Sequence, residues 1–168
     1  AYLAEGNYSV SLTVASDLGC SYSKSEIITV YPSPTSDFTY TSDCYLDAVI
    51  FTDASSTNVG AINSWTWNFG DTLTSNLQNP THSYVNSGNY TTTLIVHNSQ
   101  GCSASSNQNV VVHPKPISDF NYSYNCSNGQ LAFTDASSSQ GNPISIYFWD
   151  FGDGSTSTDA NPSYTFAN

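Results

Sequence analysis

Trp67-Asn68-Phe69-Gly70-Asp71 returns as Trp149-Asp150-Phe151-Gly152-Asp153-Gly154, shifted by 82 positions. The shift holds outward from this stretch without an insertion or deletion. Tyr8 matches Tyr90, Leu12 matches Leu94, and Gly19-Cys20 matches Gly101-Cys102. Asp37-Phe38 matches Asp119-Phe120, and Cys44 matches Cys126. Phe51-Thr52-Asp53-Ala54-Ser55 matches Phe133-Thr134-Asp135-Ala136-Ser137, and Asn79-Pro80 matches Asn161-Pro162. A fixed period marks one structural unit per period. A chain of 168 residues then holds about two units' worth of material, each long enough to bury a modest core.

The pattern inside a period is that of short strands. Asn7-Tyr8-Ser9-Val10-Ser11-Leu12-Thr13-Val14 alternates strictly, which places Tyr8, Val10, Leu12 and Val14 on one face. After Gly19 a second strand ends in Ile27-Ile28-Thr29-Val30, and Ile28 and Val30 are expected to face inward across a hairpin. Trp65, Trp67 and Phe69 share a face, as do Tyr147, Trp149 and Phe151; such rings carry the largest apolar area and are expected to form the core. Gly70-Asp71 and Gly152-Asp153-Gly154 end those strands in turns. No segment sustains a helical spacing. About seven strands per period, with a turn signal every ten residues or so, argue an all-β, two-sheet antiparallel sandwich with almost no helix.

Pro32 and Pro34, like Pro114 and Pro116, bracket stiff connectors, because proline fixes φ and biases its predecessor toward extended geometry. Boundaries placed there divide the chain into the C-terminal part of one repeat (1–33), a complete repeat (34–115) and the N-terminal part of a third (116–168). The chain is thus expected to begin and end inside a repeat.

Charged residues are 9% of the chain, against roughly a quarter in ordinary globular domains. Lys24 and Lys115 are the only cations, there is no Arg, and the net charge is −11. Nucleic-acid binding needs cations to neutralise phosphate, so it is excluded, as is attraction to anionic lipid. No apolar run is long enough to insert into a membrane. The four cysteines form no CxxC and no Cys-His cluster, so they do not spell a metal site. Disulfides in an oxidising, extracellular setting suit them better, with buried thiols as the alternative.

Trp149 to Thr158, followed by Asn161-Pro162-Ser163-Tyr164-Thr165-Phe166, resembles the signature of the PKD (polycystic kidney disease) domain. Asn79-Pro80-Thr81-His82-Ser83-Tyr84 leading into Gly88-Asn89-Tyr90 resembles it again. The resemblance covers essentially the whole chain and implies tandem immunoglobulin-like sandwiches. Trp67, Phe69, Asp71 and Trp149, Phe151, Asp153 are its core signature in the two copies. The first copy departs from the pattern, with Asn68 where Asp is usual and Thr72 where Gly is usual. The added cysteines resemble the PKD arrays of large secreted surface proteins of Bacteroidota, including adhesins of gliding bacteria and substrates of the type IX secretion system. The family implies no catalysis of its own; it serves as spacer, stalk or contact module.

Asp53, Asp71, Asp135 and Asp153 each stand where a strand meets a turn, where a carboxylate caps backbone N–H groups. Calcium held at a domain junction is the alternative use of carboxylates, with Asp37 and Asp119 beside the connectors as its candidates. Paired carboxylates for glycoside hydrolysis are disfavoured, since a catalytic pair needs no duplicate 82 residues on. His82, His97 and His113 fall on different strands, and there is neither a nucleophile elbow nor a phosphate loop. Aromatics are 14% of the chain, 12 of them Tyr; most fall on inward faces, leaving Tyr22, Tyr31, Tyr45 and Phe148 as outward candidates for sugar contact. Asp71-Thr72-Leu73 resembles the short O-glycosylation motif of Bacteroidota, with Thr72 as acceptor.

In the implied topology Cys44 and Cys102 lie at opposite ends of one sandwich, roughly 17–20 Å apart for strands of five or six residues. A bridge needs Cα atoms about 5.5–6 Å apart. A clamp between one repeat's first turn and the next repeat's last hairpin is therefore favoured, and Cys20, Cys44, Cys102 and Cys126 would then find no partner within this chain. The expected role is a non-catalytic repeat array forming a stiff extracellular stalk or fibre of a bacterial surface adhesin. Its expected partners are neighbouring repeats of the same chain, and then surface glycans or other surface proteins. The alternatives are a glycan- or calcium-binding module and a spacer region of a secreted hydrolase. No cofactor other than calcium is implied.

Overall fold

The computed structural model describes residues 4–41 and 44–166. Every regular element among them is a strand, and every pairing is antiparallel apart from one isolated bridge. The chain opens with a two-stranded hairpin, β1 (Gly6–Ala15) and β2 (Ser21–Val30), turned at Gly19, whose φ of 85° suits the one residue without a Cβ.

Residues 34–115 form a complete sandwich. One sheet is β3 (Phe38–Tyr40), β4 (Ala48–Asp53) and β7 (Thr81–Ser83), in the order β3-β4-β7. The other is β5 (Ile62–Asn68), β6 (Thr74–Ser75), β8 (Gly88–Asn98) and β9 (Ser103–Val112), in the order β6-β5-β8-β9. Inner-face residues of both sheets meet in one core. Phe38, Val49 and Phe51 come from the first sheet, Trp67, Leu94, Val96, Val110 and Val112 from the second, with Phe69 and Tyr84 beside them, all at most 2% exposed. Tyr90, near the start of β8, donates its hydroxyl proton to the carbonyl of Asn86 four residues back at 2.9 Å. That bond is the tyrosine corner of immunoglobulin-like sandwiches.

Residues 116–166 repeat the first half of that unit. They supply β10 (Phe120–Asn125), β11 (Gln130–Asp135), β12 (Trp149–Asp150), β13 (Thr156–Ser157) and β14 (Ser163–Tyr164). Registers repeat as well. Phe38 faces Asp53 and Phe120 faces Asp135; Trp67 faces Ser75 and Trp149 faces Ser157. No strand equivalent to β8 or β9 follows among the described residues. The sequence expectation of an all-β, immunoglobulin-like sandwich with almost no helix holds.

Two local expectations need correction. Val10, Leu12, Val14 and Ile28 share the hairpin face expected to be inward; they are 43 to 67% exposed, with no second sheet against that face among the described residues, whereas Leu94, Val96 and Val110 at equivalent positions of 34–115 are 0% exposed. Tyr45, expected to point outward, is half-buried and packs on the core of 34–115. A further difference is one of length: β8 and β9 run to 11 and 10 residues, about twice the strand length assumed in placing the cysteines.

Candidate functional site

Each strand-end aspartate is engaged by its own turn. Asp53 Oδ1 accepts the Ser55 N–H at 3.0 Å, and its Oδ2 accepts from Trp65 Nε1 at 2.8 Å and Gln78 Nε2 at 3.2 Å. Partial burial tends to raise the Asp53 carboxyl, but those hydrogen bonds outweigh it and hold the group below its ordinary value of 3.8. Asp135 Oδ1 accepts the Ser137 N–H at 3.0 Å, and its carboxyl is likewise lowered, chiefly by Ser137. Asn68 Oδ1 and Asp150 Oδ1 both cap the N–H of the glycine two residues on, at 2.9 Å. Asn at 68 thus preserves the turn that Asp makes at 150.

The signature aspartates Asp71 and Asp153 do two jobs. Asp71 Oδ1 accepts the Leu73 N–H at 3.1 Å, while its Oδ2 lies 2.7 Å from His82 Nε2. The His82 ring stacks on Phe69 with centroids 4.1 Å apart and planes within 4°. In the second copy Tyr164 replaces His82. Its hydroxyl donates to Asp153 Oδ2 at 2.7 Å, and its ring stacks on Phe151 at 4.2 Å and 4°. This hydroxyl is the first cause of a lowered Asp153 carboxyl. A histidine and a tyrosine therefore fill one role, a flat ring with a polar tip facing the turn carboxylate. Nothing in the motif hinted at this pairing except the equivalence of positions 82 and 164.

Trp67 donates its ring N–H to the Leu77 carbonyl at 2.9 Å, and Trp149 to the Asp159 carbonyl at 2.8 Å. Buried among these, Tyr84 donates to the Phe69 carbonyl at 3.0 Å and lies 3.2 Å from Thr92 Oγ1. Desolvation raises the Tyr84 phenol above its ordinary 10.0.

Asp37 and Asp119, the calcium candidates, are exposed beside the connectors. Each accepts the N–H of the following phenylalanine at 2.8 Å, and Gln108 Nε2 lies 3.5 Å from Asp37 Oδ1. Among the described residues no three His, Cys, Asp or Glu side chains converge. Thr72 is exposed in its turn at a φ of 80°, a left-handed conformation costly for a β-branched residue. Tyr22 and Phe148 are 74% and 72% exposed, on separate units.

All four cysteines are free thiols. Cys44 forms an isolated bridge with His113, and the Tyr45 N–H donates to the His113 carbonyl at 2.9 Å. Cys102 lies at the other end of β9, its Sγ 3.7 Å from the Tyr31 carbonyl. The ten residues of β9 hold the two ends about 30 Å apart at ~3.3 Å per residue, far beyond bridging distance.

Each connector is held against the 34–115 unit. Asn98, buried in the last hairpin turn, donates its amide to the Pro32 carbonyl at 3.3 Å and accepts the N–H groups of Gln100 and Cys102. At the other connector Lys115 Nζ reaches Asp47 Oδ1 at 2.7 Å, a hydrogen bond that raises the lysine's pKa. Asn142 Nδ2 lies 3.4 Å from His113 Nδ1.

These features define an immunoglobulin-like β-sandwich built to be repeated, with its polar side chains spent on turns and connectors. The model of the PKD domain matches residues 32–113 and again 113–168; the chain belongs to the PKD domain family and carries its domain in tandem. Over 70 residues it is 37% identical to Collagenase ColA of Bacillus cereus, a match covering 42% of this chain and 7% of that protein. The chain therefore spans a small fraction of that curated relative. The PKD1 domain of the Vibrio cholerae metalloprotease PrtV is 32% identical, with coverage of 49% of this chain and 99% of that one at a TM-score of 0.47. A structure of carbohydrate-binding modules from the β-sandwich superfamily shares the fold at a TM-score of 0.51 and 24% identity, covering 61% of this chain and 44% of that one.

Proposed function

We propose that this chain is part of a non-catalytic repeat array, a stiff extracellular stalk or fibre of a bacterial surface adhesin. The observation that carries the reading is the anchoring of both connectors on the 34–115 unit. Asn98 and Cys102 reach back to Pro32 and Tyr31, while Tyr45 and Asp47 reach forward to His113 and Lys115. Inter-domain motion is the default where few contacts cross a boundary; here proline and hydrogen bonds act together against it. The signature carboxylates are occupied by backbone N–H groups and by ring partners, which suits a scaffold. The cysteine placement resembles that of secreted arrays of Bacteroidota, and this resemblance is what supports an origin in gliding or type IX secretion.

Spin labels at Ser105 and Ser139, on a background with the four cysteines changed to serine, test the stiffness. The stalk reading expects a narrow distance distribution that widens in Lys115→Ala. A distribution already broad in the unaltered connector would remove it.

A second reading, an accessory region of a secreted hydrolase, is supported by the match to Collagenase ColA. Immobilised collagen and a glycan array, each with and without calcium, separate the two. Saturable binding lost in Phe148→Ala favours a contact module, and silence from a folded chain favours the stalk.

A further inference from the structure

The two connectors are one position of the repeat. Tyr31-Pro32-Ser33-Pro34 and His113-Pro114-Lys115-Pro116 lie 82 residues apart, and the chain runs into and out of both in the same way. Upstream, Val30 pairs with Gly6 as Val112 pairs with Gly88. Downstream, the Thr35 N–H donates to the Ser56 carbonyl at 2.8 Å, as the Ile117 N–H donates to the Ser138 carbonyl at 3.0 Å. What approaches one connector can therefore be read onto the other.

The complete unit 34–115 touches both connectors and brings a cysteine to each. At its entry, Cys102 Sγ lies 3.7 Å from the Tyr31 carbonyl oxygen. At its exit, Cys44 bridges His113 in parallel, and the Tyr45 N–H donates to the His113 carbonyl at 2.9 Å. Because Tyr31 and His113 are equivalent, the thiol of Cys102 and the N–H that follows Cys44 are aimed at the same carbonyl oxygen of the repeat. A carbonyl has two lone pairs and accepts from both. Where one complete unit follows another, the leading unit thus sets its Cys44 beside the shared connector and the trailing unit sets its Cys102 there. The placement recurs with the period: Cys126 repeats Cys44, and Cys20 repeats Cys102.

We propose that Cys44 of one repeat and the cysteine of the next repeat that corresponds to Cys102 form a disulfide across the connector, a latch at each joint of the array. The inference rests on the repeat-array reading and adds a covalent modification to it. Cys44 sits one strand spacing, about 4.8 Å, from the connector residue, and the other sulfur touches that residue's carbonyl, so the two side chains meet by rotation without movement of either sheet. The backbone of each cysteine is already tied down. Asn98 accepts the Cys102 N–H at 3.0 Å while donating to the Pro32 carbonyl, and Tyr45 holds Cys44 against His113. Little freedom remains to be lost when the bond forms.

With glutathione disulfide as oxidant, the two thiols together lose two protons and two electrons and form one S–S bond. The reagent takes them up and leaves as two glutathione thiols. No bond inside a unit competes, because β9 holds Cys44 and Cys102 of one unit at opposite ends. Once latched, each joint has two covalent paths, the connector and the bridge. Tension that would otherwise peel the end of β9 from the first turn is then shared by the bridge.

The core of 34–115 draws on no residue outside that unit, so the unit folds alone. Two copies of residues 34–115 in one chain reproduce the natural joint, since Lys115 then precedes Pro34 as it precedes Pro116. After oxidation with glutathione disulfide, two of the four thiols of this tandem chain should no longer react with maleimide. Peptic mapping should join Cys44 of the first copy to Cys102 of the second. A short linker sets an effective concentration on the order of mM, so at ~10 µM protein the bond should form ~100-fold faster than any bond between chains. Cys44→Ser in the first copy, or Cys102→Ser in the second, should abolish it. The same two changes made in the opposite copies should leave it whole, and oxidation in urea should scatter the pairing. Four reactive thiols in the folded tandem chain, a Cys44–Cys102 bond within one copy, or bonds between chains alone would overturn the proposal. The spin-label distances are read with every cysteine replaced by serine, so a flexible connector and a missing latch are separate results.

Discussion

Trp67 and Trp149 occupy one geometry and two environments. Phe38 meets Trp67 edge-on at 5.1 Å and 76°, and Phe120 meets Trp149 at 5.2 Å and 72°. Phe51 and Phe133 lie 5.5 Å from their tryptophans in both copies. Yet Phe38 is 1% exposed and Phe120 is 52% exposed. Ring placement is therefore set by the strands that carry the rings and by the turns that close them. Burial is set by β8 and β9, which cover the core of 34–115 and have no counterpart against the 116–166 rings among the described residues. The two copies separate what local sequence determines from what the covering hairpin adds.

The largest test of that separation is truncation of the two tryptophans. Trp67→Ala empties a fully enclosed site and should cost about 3–5 kcal/mol, enough to unfold a domain of ordinary stability or bring it to the edge. Trp149→Ala removes a ring already in partial contact with water and should cost about 1–2 kcal/mol. Urea titration followed by Trp65 fluorescence reads the first, and by aromatic circular dichroism the second. Equal costs would mean that the 116–168 rings are as well covered as those of 34–115, and the contrast would fail.

Glycine gives the next contrast. Gly70 and Gly152 have φ of 85° and 82°, so alanine at either incurs the left-handed penalty of about 1–2 kcal/mol. Only at 70 does the new methyl also meet the Thr91 backbone, adding about 1–3 kcal/mol of overpacking. Gly70→Ala should thus lower the urea midpoint of its unit by clearly more than Gly152→Ala lowers that of the other. If the two shifts match, the close approach of β8 to the turn is not felt energetically.

Much of this was legible in the sequence. The 82-residue shift and the alternation of Tyr8 to Val14 sufficed for strands, hairpin and sandwich, because strand periodicity is local. The pairing of turn aspartates with N–H groups two residues on was legible for the same reason. What was not legible depended on contacts across the sheets. The alternation of β1 names an inward face but not what lies against it: Leu94 is buried in the complete unit, while Leu12, its equivalent, has no second sheet over it among the described residues. Tyr45 follows a turn and carries no period, so nothing in its neighbourhood predicts that the ring folds back onto the core. Asp71 reads as a turn cap from sequence, while its second partner, His82, comes from another strand and needs the fold to bring it near.

Acid should act on both copies, through different sets of bonds. The carboxyls of Asp53, Asp135 and Asp153 are all lowered in the folded chain from 3.8. Below that value the unfolded chain takes up protons that the folded chain still refuses, so stability falls as pH drops through the lowered range. At neutral pH their contribution is complete. Asp53→Asn keeps an acceptor for Ser55 and removes the charge, so it should flatten the acid limb of the 34–115 urea midpoint between pH 4 and pH 2 while leaving that of 116–168 unchanged. An unaltered limb would assign acid sensitivity to other carboxylates. In alkali the sign reverses: Tyr84 is raised above 10.0, so its contribution is intact below pH 10 and lost as pH rises through the raised value. Phe166, its equivalent, has no proton to lose.

The smallest effect sits at Thr72, whose equivalent is Gly154. Thr72 holds a φ of 80° and Gly154 one of 92°, so the first copy carries a β-branched side chain in a conformation the second gives to glycine. Relief of that strain in Thr72→Gly is worth about 1–2 kcal/mol, and the added freedom of the unfolded chain takes back about 0.4–1 kcal/mol. A net gain of roughly 0.5 kcal/mol should raise the urea midpoint of 34–115. Thr72→Asn tolerates the same conformation without the extra unfolded-state freedom, and should gain at least as much. A rise for Asn and none for Gly would confirm the strain and attribute the difference to chain entropy. A fall for both would mean that the exposed threonine makes a contact worth more than its backbone costs, and that the first copy's departure from the pattern at this turn is a feature of its fold.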